Sequence, residues 1–204
     1  MLYRIFTCFF SIDWRKSGCV TGVKDEGPTD LSAVYTVTGV LEGQSCIPTG
    51  KLVALSNQNI IDCVCRRGLS CSLEEISAGL TRLGGIESEA SYPDDPSSDK
   101  CRFDPSKIAV RWNGYADIVS GNENALQQAV ATIGLIGASI DASHSSFQLY
   151  TSGGRHFVPS LCENSMTHLV YNEPNCSQTQ VDLNVLIVGY GNMSNSDYWL
   201  VRNW

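Results

Sequence analysis

Nine cysteines, from Cys8 to Cys176, constrain this chain of 204 residues more than any other feature. An odd number leaves at least one thiol over in any full pairing. A zinc site does not fit the spacing. Cys63 and Cys65 are one residue apart, Cys71 follows, no Cys-x-x-Cys pair occurs, and His144, His156 and His168 show no metal-ligand spacing. The thiols therefore read as disulfides with orphans, and the sequence implies no metal and no cofactor. Paired cysteines belong to oxidising compartments. Charged residues make up 17 % and apolar residues 43 %, which supports a packed core and opposes bulk disorder. A net charge of −7 leaves no basic surplus to neutralise phosphates, which argues against a nucleic-acid partner. No apolar run reaches the ~18 residues of a membrane span.

The patterning predicts helices first and strands later. Ala33 to Gln44 reads as a helix stopped near Gly43. Ser56 caps a second that runs to Cys63. Ser72-Leu73-Glu74-Glu75 is a capping box that opens a third, closed by Gly84-Gly85. After Cys101, Ile108–Trp112 and Leu135–Ile140 read as strands with an amphipathic helix over about Glu123–Ile133 between them. Val185–Val188 and Tyr198–Val201 are short apolar runs that read as buried strands. The fold class is therefore α+β, with a boundary near 105–112. The first ten residues are apolar, with an apolar stretch too short for a clear signal peptide, and read as a short strand. Pro159 to His168 and Pro174 to Leu183 superpose under a 15-residue shift, a short repeat or a coincidence.

A series of ordered segments carries a family resemblance. They are Asp13-Trp14-Arg15, Val23-Lys24-Asp25-Glu26-Gly27, Leu41-Glu42-Gly43-Gln44, Leu55 to Cys63, Ser91-Tyr92-Pro93 and Cys101-Arg102-Phe103. Further on come Ala129 to Gly134, Ile140 to His144, Val188-Gly189-Tyr190-Gly191 and Tyr198 to Asn203. With these the chain resembles the papain family of cysteine peptidases, on its cathepsin L-like branch, from about Ile12 to Trp204. The resemblance implies a papain-like two-lobe fold. A helical lobe spans 12–107 and an incomplete β-barrel-like lobe spans 108–204, after an apolar segment over 1–11. It also implies a lysosomal or extracellular protein and a peptide or protein ligand in the cleft.

The family's chemistry needs a thiolate, an imidazole, an asparagine that orients it and a glutamine that donates to the oxyanion. By position these fall on Ser32, Leu183, Asn203 and Glu26. A serine hydroxyl stays protonated without a strong base beside it, leucine moves no proton, and a carboxylate accepts where the glutamine amide donates. Ser32 then reads as a helix N-cap and Glu26 as a solvated surface acid. His168 is the one substitute base, through the repeat, and with Ser32 and Asn203 it frames the alternative of a weak hydrolase. The favoured expectation is a homologue without peptidase activity. Ser72-Leu73-Glu74 stand where the family carries a glycine pair and would crowd the substrate strand.

The resemblance pairs Cys63 with Cys101. It leaves Cys71 without its partner, at Thr29, so that one family disulfide survives, and it assigns Cys162 or Cys176 to a tail cysteine. The partners of Cys8, Cys19, Cys46 and Cys65 stay open. No inhibitory segment precedes Ile12, and family members continue past Trp204, so edges such as Val185–Val188 are expected to be poorly covered. Asn175-Cys176-Ser177 and Asn192-Met193-Ser194 are glycosylation sequons.

Overall fold

The structure is a computed structural model, described here for residues 11–27, 30–65, 71–95, 97, 100–148, 156–157, 171–177, 179–193 and 196–204. The expected N-terminal strand, His168 and Cys162 lie outside the described residues. The order is β1 (Ile12–Asp13), α1 (Ser32–Thr49), α2 (Asn57–Cys63), α3 (Leu73–Leu83), β2 (Gly85–Glu87), β3 (Ile108–Arg111), α4 (Glu123–Thr132), β4 (Ile136–Ile140), α5 (Ser145–Gln148), β5 (His156–Phe157), β6 (Leu183–Met193) and β7 (Ser196–Arg202). Helices and strands mix as α+β, and the described strands close no barrel.

The helix signals behave as local chemistry dictates, with one exception. Ser56 Oγ accepts from Asn59 N and opens α2, and Ser72 with Glu75 forms the full capping box of α3. Gly84, in the left-handed region at φ 78°, ends α3. The exception is α1, which does not stop at Gly43. It continues to Thr49, with Pro48 in its last turn and Gly50 (φ 69°) as the terminator. Gly43 is a packing glycine, since a Cβ there would lie 2.7 Å from the Leu135 side chain. Gly39, a turn earlier, makes room in the same way, because a Cβ there would lie 2.9 Å from Leu186 Cδ2.

β6 is the centre of the molecule. β7 runs antiparallel on one side of it, with β5 beyond. On the other side β4 pairs with Leu183–Ile187, and β1 pairs with Gly189 and Tyr190. Its side chains alternate between two apolar clusters. Val185 and Ile187 pack with Val130 of α4, while Leu186 and Val188 pack with Leu135 and with Val40 and Ile47 of α1. This two-sided burial explains an apolar run without alternation. It also corrects the expectation of poor cover, because Val185 to Val188 are at most 3 % exposed. A third cluster joins Val34, Leu55, Ile60, Ile76, Leu80 and Ile86, so that α1, α2, α3 and β2 share one core.

Among the described residues three disulfides staple this frame: Cys19–Cys46, Cys63–Cys101 and Cys65–Cys71. Cys63–Cys101 is as the resemblance implied. Cys71 is a correction, since it is bridged to Cys65, six residues back. Cys19–Cys46 was not foreseen as a pair. It ties the segment after β1 to the buried face of α1, where Cys46 lies one turn beyond Glu42. Glu42, 1 % exposed, accepts from Thr21 Oγ1 at 2.6 Å and from Leu55 N at 2.8 Å. Thr21 accepts from Arg202 Nη1 through its carbonyl and its hydroxyl. This polar chain fixes the end of β7 against α1.

Candidate active site

Antiparallel pairing places the start of β6 and the end of β7 at the same end of the sheet, and the first residues of α1 reach that end. Ser32 is the first residue of α1, and the cap position belongs to Leu31, which makes no side-chain cap bond. The N-cap reading of Ser32 is thus corrected. Its side chain is instead turned toward β6. Ser32 is 2 % exposed, and its Oγ accepts from both Asn184 N and Asn184 Nδ2, each at 3.3 Å. Asn184 Oδ1 in turn accepts from Ser139 Oγ of β4 at 2.9 Å. Sequence reasoning missed Asn184. Its signal was an amide directly after Leu183, at the head of an apolar strand.

Leu183 is half-buried and packs against the cluster around Val185 and Val130. Asp182 anchors its approach: its N–H donates to Ile140 O, and its Oδ1 accepts from Ala142 N at 2.6 Å. Asn203 follows β7 directly. Its Oδ1 is buried and has no hydrogen-bond partner among the described residues. An unpaired buried acceptor costs about 1–3 kcal/mol. The next residue, Trp204, donates Nε1 to Thr36 Oγ1 at 3.3 Å and packs on Tyr35, with ring centres 5.6 Å apart. The Arg202 guanidinium lies over the same indole, 4.3 Å from the ring centre.

Glu26 is half-buried, not a solvated acid. Burial pushes its carboxyl upward, the neighbouring Asp30 and Asp25 add to this, and a hydrogen bond from the Leu31 N–H opposes them. That bond has a structural sense. The backbone N–H groups that open a helix lack intrahelical partners, and Glu26 supplies a negative acceptor where the helix dipole favours one. Leu73 is the first residue of α3 and 40 % exposed. His144 sits 3.7 Å from Asp141, and His156 lies in β5. No group of three or more metal-binding side chains occurs among the described residues.

A helix start thus meets the head of a central strand, with an asparagine at the end of its neighbour, and by sequence residues 10–204 match a family described as papain family cysteine protease. The chain belongs to this family. It is 41 % identical over 198 residues to cathepsin L of Sarcophaga peregrina, covering 95 % of this chain and 54 % of that protein. It is 39 % identical over 198 residues to cathepsin L1 of Drosophila melanogaster, covering 95 % and 49 %. Digestive procathepsin L 3 from the larval midgut of Tenebrio molitor superposes with a TM-score of 0.77 at 32 % identity, covering 100 % of this chain and 62 % of that one. The chain spans about half the length of the curated relatives it matches. It is a cathepsin L-like papain-family homologue, and no described helix is long and apolar enough to cross a membrane.

Proposed function

We propose that this chain is a cathepsin L-like homologue that does not hydrolyse peptides and whose cleft serves a peptide or protein ligand. The observation that carries the reading is the environment of Ser32. Its hydroxyl oxygen is buried and accepts two N–H groups from Asn184. Both partners donate, and neither can take its proton. A serine nucleophile needs an acceptor base in hydrogen-bond reach, and the adjoining residue on β6 is Leu183. Glu26 supports the reading, since its carboxyl stands where the family glutamine's amide would donate, and it accepts from the Leu31 N–H instead. Loss of one triad member leaves roughly 10³–10⁴-fold over water when the oxyanion donors are intact, and here nucleophile, base and donor all differ.

The test is hydrolysis of fluorogenic di- and tripeptides by the unmodified chain beside Ser32→Ala. The expected result is no turnover above buffer in either. Turnover that disappears in both Ser32→Ala and His168→Ala overturns the proposal and favours the hydrolase built on Ser32, His168 and Asn203. Ser32→Cys alone is expected to stay inactive, because a thiol without an imidazole lacks the ion pair that lowers its pKa. Ser32→Cys with Leu183→His and Glu26→Gln is the smallest set expected to return activity.

A further inference from the structure

The sequon Asn175-Cys176-Ser177 sits on a built turn. The Cys176 N–H donates to Glu173 O at 3.2 Å, with Pro174 and Asn175 at the corner between them. Proline presets the first corner position of such a turn, and Asn175 is exposed. Glu173 Oε1 accepts from Asn175 N at 3.1 Å and from Asn175 Nδ2 at 3.3 Å, while Glu173 Oε2 accepts from Ser146 Oγ at 2.7 Å. The far side of the turn is pinned by Ser177 N donating to Asp141 Oδ2 at 2.7 Å. The Ser143 hydroxyl, then the Ser177 and Ser143 N–H groups, hold the Asp141 carboxyl at about 2, so this anchor stays ionised in any ordinary compartment. The three disulfides suit a chain that matures in an oxidising, secretory environment, where sequons meet the transferase.

We infer that Asn175 is an N-glycosylation site, with a lipid diphosphate-linked oligosaccharide as the donor class. In the transfer, Asn175 Nδ2 bonds to the anomeric carbon of the sugar. The bond from that carbon to the diphosphate oxygen breaks, the diphosphate leaves with the electron pair, and one amide proton goes to a base of the transferase. The modified amide keeps one N–H, and the Asn175 backbone N–H that holds Glu173 Oε1 is untouched. The fold therefore accepts the glycan without losing the turn. Through Asp141, Ala142 and Asp182 the same turn abuts the approach to Leu183, so the glycan stands beside that end of the sheet.

The experiment is translation of the full chain behind a cleavable secretory leader with endoplasmic-reticulum microsomes, scoring protease-protected chains before and after peptide-N-glycosidase. A second sequon at Asn192 provides the internal comparison. The expected result is a one-glycan shift that Asn175→Gln and Ser177→Ala remove and that Ser177→Thr and Asn192→Gln retain. Protected chains whose glycan pattern is the same with and without Asn175→Gln overturn the inference, whether they carry no glycan or one at Asn192 alone.

Discussion

The middle of β6 and its first two residues are neighbours in one strand, yet they have different relations to the rest of the molecule. In the middle, Val185, Leu186, Ile187 and Val188 each bury an apolar side chain between α4 and α1. Each contributes about 1.5–3 kcal/mol by burial, and each is supported by many neighbours. At the head of the strand, Asn184 donates twice to Ser32 Oγ, a polar contact that depends on a few donors and acceptors. The difference shows what a fold tolerates. A papain-like frame persists at 41 % identity to a cathepsin L because its stability is spread over many contacts, whereas the chemistry rests on a handful of atoms.

The frame is best broken at its covalent staples. Reduction of all three bridges is expected to produce the largest effect. In the chain-entropy account, Cys63–Cys101, with a separation of 38, contributes about 4 kcal/mol. Cys19–Cys46, with a separation of 27, contributes about 3.5 kcal/mol. Cys65–Cys71, with a separation of 6, contributes about 2 kcal/mol. Together these rival the whole stability of an ordinary domain, ~5–15 kcal/mol. Denaturant melts of the paired Cys→Ser variants should rank in that order. A larger loss for Cys65–Cys71 than for Cys63–Cys101 would refute the ranking. Next in size, Leu186→Ala should cost about 3 kcal/mol. Gly39 is fitted to the Leu186 side chain, which is fully buried among Leu135, Val188 and Leu200.

These two experiments also mark where the sequence was readable. The helix starts at Ser56 and Ser72 were legible because a cap is a local contract between a side chain and an N–H three residues on. β6 was legible as an unbroken apolar run, although its full length was not, since its later residues are held by pairing with β7. The end of α1 was misread at Gly43, because a glycine that makes room for Leu135 looks the same in sequence as one that terminates a helix. Cys65–Cys71 was missed because a family partner was sought for Cys71 when a local one had replaced it. At the site, the assignment of Glu26, Leu183 and Asn203 to family catalytic positions rests on sequence position alone. The contact of Asn184 with Ser32, between residues 152 apart, was not legible.

The site end gives smaller effects. Ser32→Ala removes the acceptor that holds Asn184 N and Nδ2 and leaves half-buried donors without it, at about 1–2 kcal/mol. A lower midpoint in urea with no change in peptide turnover is the expected pair of results. An unchanged midpoint would show that the Ser32–Asn184 contact carries no stability.

The smallest effect concerns Glu26, and its sign follows from linkage. Its folded carboxyl is raised above the ordinary glutamate value, by burial first and then by Asp30 and Asp25. Above the unfolded value the native state therefore binds more protons than the unfolded state, and stability falls as pH rises through that window. At neutral pH the ionised carboxylate is a penalty, partly offset by its bond to the Leu31 N–H at the start of α1. Glu26→Gln keeps an oxygen that can accept from Leu31 and removes the charge. The variant should match the parent near pH ~4, around the ordinary glutamate value, and melt slightly higher at neutral pH, with a flatter profile between. Thermal melts across that range decide it. A variant that is less stable than the parent at neutral pH would mean that the helix start needs the negative charge more than it suffers from Asp25 and Asp30.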